Sequence, residues 1–593
     1  MTYKDYEESG YYDRDQLYHI HSGYKNKLSQ AQIDYYAKLD KNNKPIYDSG
    51  QMYAIYTGYR DNLSQEHIDY YTRLNDDEKP IYNAKQMLEI EYGYERKLLQ
   101  EQIDFCAKLD KNNKPVYDWL EMGAIISGYE IGLSQTQIDY YTKLNEEGKP
   151  VYNAEQMGII RSDYQYNLPQ KYIDYYAKLN ENEEPIYNDK QMNTIAYYYM
   201  EEYSQEQIDY IAKLNEKNEP IFDSKQMSYI GYGYNIKLPQ EHIDYYAKLN
   251  KNGNPIYNHE QMGAIVLGFR DGLTMQQINI FAKLDENECP IFDGRQMDKI
   301  YEGYRQHLSQ EQIDVYAKLD KNKKPIYSSA QMNIILMGYY SKFSQKQIDY
   351  YIRLDKNEKP IFDDKQMRVI RDAYQEKFSQ EKIDLLAKID ENGKPMFNGK
   401  QMEKIRCFIF NAEEDQFRQL KDSINANLSF SKFSSYMNAE IPADRMRIYK
   451  NLLLNGLNSK SIKELVRADA EISYDSLKFL NSQISKYKKL KLTNELVDLI
   501  VSGKTIDEIK EDFYCLSASI VTNLTPGYEK FDVVARCFKY GMSLDQIKYI
   551  ASKPEEYAKG IAISFLNGKS IKDINKLFDS DHFEYKEFDE LEL

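Results

Sequence analysis

Residues 28–62 read LSQAQIDYYAKLDKNNKPIYDSGQMYAIYTGYRDN, and close variants of this stretch recur along the chain. The opening Leu-Ser-Gln or a near equivalent returns every 35 residues, at positions 28, 63, 98, 133, 168, 203, 238, 273, 308, 343 and 378. Eleven units without an insertion therefore fill residues 28–412. A fixed period of this length is the sequence signature of a protein built from stacked repeats.

Each unit contains two helix starts of the same design. Ser29 is placed to cap the first helix, and Gln32 completes an S-x-x-Q capping box. Asp48 and Gln51 repeat this arrangement at the second helix. We therefore expect two helices per unit, each of about ten to thirteen residues, joined by a polar connection over 40–45.

The apolar positions of each unit follow the spacing of amphipathic helices. Ile33 and Tyr36 are three residues apart in the first helix, and Met52, Ile55 and Tyr59 form the stripe of the second. Such short helices are marginal alone, because they bury an apolar face only against neighbours. The sequence thus predicts an all-α fold, an α-solenoid of eleven 35-residue helical hairpins.

Glycine follows the stripe of the second helix, at Gly58, in seven of the eleven units. Because glycine is unfavourable inside a helix by about 1 kcal/mol, this placement predicts a close approach of two helices.

The sequences on either side of the eleven units can be compared with the same 35-residue repeat. Residues 1–27 match the second half of a unit and predict an N-terminal half-repeat. Residues 413–578 lose the spacing but keep Gly-Ser/Thr helix starts, so we expect an irregular all-α C-terminal region there. Residues 579–593 form an acidic tail.

Composition limits the functional classes. The formal net charge is −16, which disfavours non-specific nucleic-acid binding. No stretch approaches 18 consecutive apolar residues, and the first residues lack a secretory profile, so we expect no membrane span and a cytoplasmic location. Five scattered cysteines suit a reducing compartment.

Candidate chemical sites are weak. The loop DKNNKPIYD resembles an EF-hand loop only superficially, because Lys44 and Pro45 stand where a ligand and a glycine belong. Asp34 and Lys38 recur four residues apart, which suggests a surface ion pair rather than a catalytic row. A Cys515 or Cys537 nucleophile with His582 as its base has little sequence support. We expect no catalytic residue, no metal site and no cofactor.

Tyrosine is unusually frequent, with 58 residues in 593, and most of them fall on the stripe positions of the repeats. We therefore expect a tyrosine-rich core whose hydroxyls lie at a wet edge. The single tryptophan, Trp119, falls near the start of a second helix, at a position that varies between units. We expect Trp119 to be exposed, and it is the one residue proposed for an interaction.

The motif D/N-x-x-Q-M-x-x-I-x-x-G-Y followed by L-S-x-E-Q-I-x-x-Y-A resembles an uncharacterised helical-hairpin repeat of low-GC Gram-positive bacteria and their mobile elements. The resemblance covers about residues 12–412 and implies a repeat scaffold of bacterial or phage origin, with no activity attached to it. The connection DKNNK is longer here than is usual in that family. The architecture is analogous to tetratricopeptide and pentatricopeptide α-solenoids.

Three functions remain open from the sequence. The first is a non-enzymatic scaffold that binds a protein partner through its solenoid surface, in one version a mobile-element or phage-derived inhibitor that covers a basic host surface. The second is a pentatricopeptide-like protein that binds RNA or single-stranded nucleic acid. The third is an enzyme activity within residues 413–593. Oligomeric state is left open.

Overall fold

A computed structural model describes residues 2–490 and 493–579. Over these residues the chain forms thirty-five α-helices and one 3-10 helix and no β-strand, which confirms the all-α repeat fold. The described chain divides into two compact units, one ending at Pro325 and one beginning at Ile326. The predicted boundary at 412/413 lies inside the second unit and stays a prediction.

The helices of the first unit are α1 (Tyr3–Ser9), α2 (Arg14–Lys25), α3 (Gln30–Tyr36), α4 (Ser49–Arg60), α5 (Gln65–Tyr71), α6 (Ala84–Glu95), α7 (Gln100–Cys106), α8 (Trp119–Glu130), α9 (Gln135–Tyr141), α10 (Ala154–Gln165), α11 (Gln170–Tyr176), α12 (Asp189–Met200), α13 (Gln205–Ile211), α14 (Ser224–Asn235), α15 (Gln240–Tyr246), α16 (His259–Arg270), α17 (Met275–Phe281), α18 (Gly294–Arg305) and α19 (Gln310–Tyr316).

The helices of the second unit are α20 (Ser329–Tyr340), α21 (Gln345–Tyr351), α22 (Asp364–Gln375), α23 (Gln380–Leu386), α24 (Gly399–Asn411), α25 (Glu414–Asn425), α26 (Phe430–Phe433), α27 (Ala443–Leu454), α28 (Ser459–Arg467), α29 (Tyr474–Lys486), α30 (Thr493–Val501), α31 (Ile506–Thr522), α32 (Glu529–Lys539), α33 (Leu544–Ser552), α34 (Glu555–Leu566) and α35 (Ile571–Asp579), with the 3-10 helix at Lys488–Leu490.

The first helix of each repeat, here called the A helix, is shorter than predicted. It has seven residues, whereas the second or B helix has twelve or thirteen. The A helix ends early because Leu39 pairs with Pro45 in an antiparallel bridge. Within that connection the Asp40 carboxylate accepts the backbone N–H groups of Asn42 and Lys44, both at 2.8 Å. The connection is therefore a rigid hairpin, and its aspartate already holds backbone donors.

The predicted capping boxes are present. Ser29 accepts the N–H of Gln32, and Asp48 accepts the N–H of Gln51 at 2.8 Å. In the B helix the capping-box glutamine, Gln51, also makes a second hydrogen bond. Its Nε2 donates to the carbonyl of Tyr82 in the next repeat at 3.0 Å.

This second hydrogen bond recurs at 2.7–3.1 Å from eight further glutamines, namely Gln16, Gln86, Gln156, Gln191, Gln226, Gln261, Gln331 and Gln366. We call this series the glutamine ladder.

The tyrosines form the core. The twelve largest fully buried side chains are all tyrosines, which confirms the predicted stripes. Several tyrosine hydroxyls of the core are bonded inside the stack and not at a wet edge, however. Tyr82 donates to the carbonyl of Ala107 at 2.7 Å and Tyr152 to Ala177 at 2.6 Å, in each case in the following repeat. Burying a phenol with a backbone acceptor satisfies its polar end, so these rings add burial and an inter-repeat hydrogen bond together.

In five of the seven repeats that carry it, the recurring glycine is explained by the tyrosine thirteen residues after it. A Cβ atom on Gly128 would lie 2.1 Å from the hydroxyl oxygen of Tyr141 in the next A helix, which confirms the predicted close approach. Where a bulkier Tyr198 replaces the glycine, the partner is the smaller Ile211.

A Cβ atom placed on any of five other glycines would lie 1.9–2.2 Å from the equivalent hydroxyl oxygen, namely at Gly23, Gly58, Gly233, Gly303 and Gly338. At Gly93 and Gly268 an added Cβ would instead meet Ile103 and Ile278, at 2.7 and 2.6 Å.

The flanking regions continue the same pattern. The N-terminal half-repeat is present as α2, and Gln16 joins the ladder; α1 was not predicted. In the C-terminal region α25 behaves as a B helix, since the Gln416 amide donates to the carbonyl of Ile441 at 2.7 Å. The predicted Gly-Ser/Thr starts precede α28, α31, α33 and α35, after glycines with positive φ. The acidic tail lies outside the described residues beyond Asp579.

Glu121 interrupts the glutamine ladder, because it stands at the ladder position of α8 and an ionised carboxylate has no proton to donate. Burial raises the pKa of Glu121 to about 7, although the N–H of Asp118 lowers it. We expect Glu121→Gln to restore the bond to Tyr152 and to raise the unfolding free energy by about 1–2 kcal/mol at neutral pH. Thermal melts of the two proteins measure this, and an unchanged or lower midpoint would contradict it.

The glycine–tyrosine pairing gives a second test. Gly128→Ala is expected to destabilise the protein by about 1–3 kcal/mol, because the new methyl overlaps the Tyr141 hydroxyl. Adding Tyr141→Phe removes that overlap and should recover most of the loss. Gly158→Ala is the control, since its Cβ would have no atom within 4 Å and should gain about 1 kcal/mol of helix propensity. The pairing is refuted if the two alanine variants behave alike in thermal melts.

Candidate interaction surfaces

The A helices of the first unit carry a repeated row of carboxylates. Asp69 Oδ1 accepts the amide of Gln65 at 2.8 Å and the hydroxyl of Tyr35, in the preceding repeat, at 2.6 Å. The predicted ion pair between Asp34 and Lys38 is not formed, because the helix ends at Tyr36 and Asp34 instead accepts from Gln30. The row is thus part of the contact between repeats.

The basic residues of the same row cover tyrosine rings. Lys178 Nζ lies 3.9 Å from the ring centroid of Tyr175, and the Arg73 guanidinium lies 4.3 Å from that of Tyr70. A cation held over an aromatic face is attracted by the ring's quadrupole. These rings are therefore already occupied on one face.

The row is broken at α17. Ile280 stands where most repeats carry tyrosine, and an open pocket of about 670 Å³ lies beside it, between α17 and α19. The pocket is lined by Gln276, Asn279, Ile280, Lys283, Phe292, Asp314, Ala317, Lys318 and Leu319. Sequence reasoning missed it, although the replacement of tyrosine by a shorter side chain is visible when the repeats are aligned with one another.

The B helices present the positions that vary most between repeats. Five large apolar side chains are exposed there on α8, α10 and α12 or directly after them. Leu120, at 43%, lies at the start of α8. The other four lie toward the ends of their helices: Ile131 at 38%, Tyr166 at 68%, Tyr197 at 49% and Met200 at 40%. We call these four residues the B-helix patch.

Charged pairs occupy the equivalent positions of other repeats in the first unit. Arg96 lies 3.5 Å from Glu130 before the patch, and Arg270 lies 2.7 Å from Asp271 after it. An apolar patch bounded by charged pairs has the anatomy of a protein interface, in which a dry centre is surrounded by a polar rim.

The prediction that Trp119 is exposed is wrong. It is the first residue of α8 and is half-buried, because the N-terminal turns of neighbouring B helices pack on each other. Lys85 of the preceding repeat places its Nζ 4.1 Å from the indole centroid. The interaction role of Trp119 stays a prediction.

No metal-ligating group of His, Cys, Asp or Glu side chains occurs within residues 2–490 and 493–579. Cys537 is buried, which raises the pKa of its thiol to about 12, and His582 lies outside the described residues. No described helix is both long and apolar enough to cross a bilayer.

Comparisons of the chain with protein-family models, with curated proteins and with solved structures returned no match. The resemblance to the Gram-positive helical-hairpin repeat therefore stays a prediction.

Glu91 is a buried acid in the B-helix layer. It is 6% exposed, and its Oε1 has no hydrogen-bond partner. Burial, with the nearby Asp61 and Glu95 carboxylates, raises the pKa of Glu91 to about 7, while Arg60 opposes this. Arg60 itself is paired with Asp61 at 2.7 Å.

Because the folded state holds the Glu91 proton more tightly than the unfolded chain, stability should fall as pH rises from about 4.5 to about 7. Glu91→Gln should therefore raise the unfolding free energy by about 2–3 kcal/mol above pH 8 and change it little near pH 4.5. Thermal melts across this range measure it, with Glu66→Gln as control, since Glu66 is exposed on the neighbouring α5. An equal effect of Glu91→Gln at both ends of the range would contradict the assignment.

Proposed function

We propose that the protein is a non-enzymatic scaffold that binds a protein partner through the B-helix patch. The observation that carries the proposal is the exposure of Tyr166, Tyr197 and Met200 in two consecutive repeats, the fourth and the fifth, at 68%, 49% and 40%. Large exposed apolar side chains gathered in one place mark interaction sites on soluble proteins.

The chemistry of the patch favours a protein over a nucleic acid. Tyrosine and methionine are typical of interface centres, where they bury much area at a modest entropic cost. The two arginines that flank the patch, Arg96 and Arg270, are paired with Glu130 and Asp271, so both are engaged by carboxylates. The net charge of −16 favours a partner with a basic rim, as the inhibitor version of the scaffold requires.

Capture from a lysate of a low-GC Gram-positive bacterium tests the proposal. The wild-type chain is compared with the triple variant Tyr166→Ser, Tyr197→Ser and Met200→Gln. The control is Leu99→Ser, since Leu99 is 67% exposed outside the patch and serine is the usual residue at that cap. We expect a protein that wild type and control retain and that the triple variant loses by about 100-fold in affinity.

Equal retention by all three chains would contradict the role of the patch. Recovery of nucleic acid alone, lost on raising the salt concentration, would instead favour the RNA-binding alternative.

A further inference from the structure

The pocket between α17 and α19 lies beside Ile280, at a position where seven of the eleven repeats carry a tyrosine of the A helix. In those repeats the tyrosine ring packs against the aromatic residue of the connection that follows. Tyr245, for example, stacks on Tyr257 with ring centroids 6.3 Å apart and packs edge-on to Phe269 at 6.0 Å. Its hydroxyl donates to Asn279 Oδ1 of the next repeat at 2.6 Å.

The same donation to an aspartate in the next repeat is made by Tyr35, Tyr140, Tyr175, Tyr210 and Tyr350, at 2.6–2.8 Å.

Ile280 takes this position in the eighth repeat, and its side chain is too short to reach the next repeat. The consequence is visible at Ala317, which is half-buried. The ten residues at the equivalent position elsewhere are at most 9% exposed: Ala37, Thr72, Ala107, Thr142, Ala177, Ala212, Ala247, Ala282, Ile352 and Ala387.

A ring alone is enough to close the space. Phe105 replaces the tyrosine in the third repeat, and the residue it should cover, Thr142, is only 3% exposed. The opening at Ile280 therefore reflects the loss of an aromatic ring beside a small alanine, and not the loss of a hydroxyl.

The groups that would receive the ring and its hydroxyl are still present. Phe292 is the equivalent of Tyr257, the ring on which Tyr245 stacks in the seventh repeat, and Asp314 stands at the acceptor position. Asp314 Oδ1 accepts the Gln310 amide at 2.7 Å, and a carboxylate can accept several further hydrogen bonds. Lys283 lines the pocket at the position from which Lys178 covers the ring of Tyr175.

We propose that this pocket binds a tyrosine side chain of a partner protein, in place of the repeat's own missing tyrosine. The ring of the partner's tyrosine lies on Phe292 beneath the Lys283 ammonium, and its phenol group donates a hydrogen bond to Asp314. This proposal rests on the proposed function, because it takes the partner to be a protein. The site itself is separate from the B-helix patch.

Ligand-observed NMR with the full chain tests the pocket directly. The probes are p-cresol, toluene and N-acetyltyrosinamide. We expect wild type to bind p-cresol and N-acetyltyrosinamide, and toluene about 10-fold more weakly because it leaves Asp314 without the phenol. Ile280→Tyr should abolish binding of all three, since it refills the space, and should also raise the melting temperature, which shows that the variant is folded.

A matched variant tests the same idea by creating a second pocket. Tyr210→Ile should open a second pocket in the sixth repeat, with Phe222, Asp244 and Lys213 in the corresponding places. It should double the number of p-cresol sites. Asp314→Asn in the wild-type background should reduce the preference of p-cresol over toluene.

The proposal is overturned if Ile280→Tyr binds p-cresol as wild type does, or if p-cresol and toluene bind equally. Binding of p-cresol without N-acetyltyrosinamide would assign the pocket to a free phenol and overturn the tyrosine assignment. None of these results depends on the capture of a partner by the B-helix patch. Failure of the pocket proposal can therefore be distinguished from failure of the proposed function.

Discussion

The amide group of one glutamine, present in most of the B helices, joins each repeat to the next. In Gln51 the oxygen accepts the N–H of Asp48 at the helix start, and the nitrogen donates to the carbonyl of Tyr82 in the next repeat. Both ends of the amide are used, so the start of one helix and the position of the next repeat are fixed by the same buried side chain. Leaving either group unpaired in the interior would cost about 1–3 kcal/mol.

The constraint explains why so little else varies in the core. Once the ladder sets the spacing, the tyrosine hydroxyls reach carbonyls of the next repeat, and in most repeats glycine leaves room where a hydroxyl approaches the helix backbone. In the fourth repeat Asp163 takes the glycine position and accepts the hydroxyl of Tyr176 instead. The features that carry the functional proposals are departures from this pattern. Ile280 opens a pocket by being too short, and Tyr166 is exposed at a position where five other repeats carry a charged residue.

The repeat length, the helix starts and the tyrosine stripes could be read from the sequence because each depends on residues within about four positions. The partners of Gln51 and Tyr82 could not, since their acceptors lie in another repeat, 31 and 25 residues away. The A helix was overestimated because the pairing of Leu39 with Pro45 leaves no local signal. Trp119 was misjudged because variation at a position does not establish exposure.

The central claim is that neighbouring repeats are coupled through the glutamine ladder, and hydrogen exchange of a ladder variant measures it most directly. Gln226 of α14 donates to the carbonyl of Tyr257 in the following repeat at 2.9 Å. Replacing Gln226 by leucine should speed exchange in both 203–237 and 238–272, while 28–97 keeps its protection. Faster exchange confined to 203–237 would contradict the coupling.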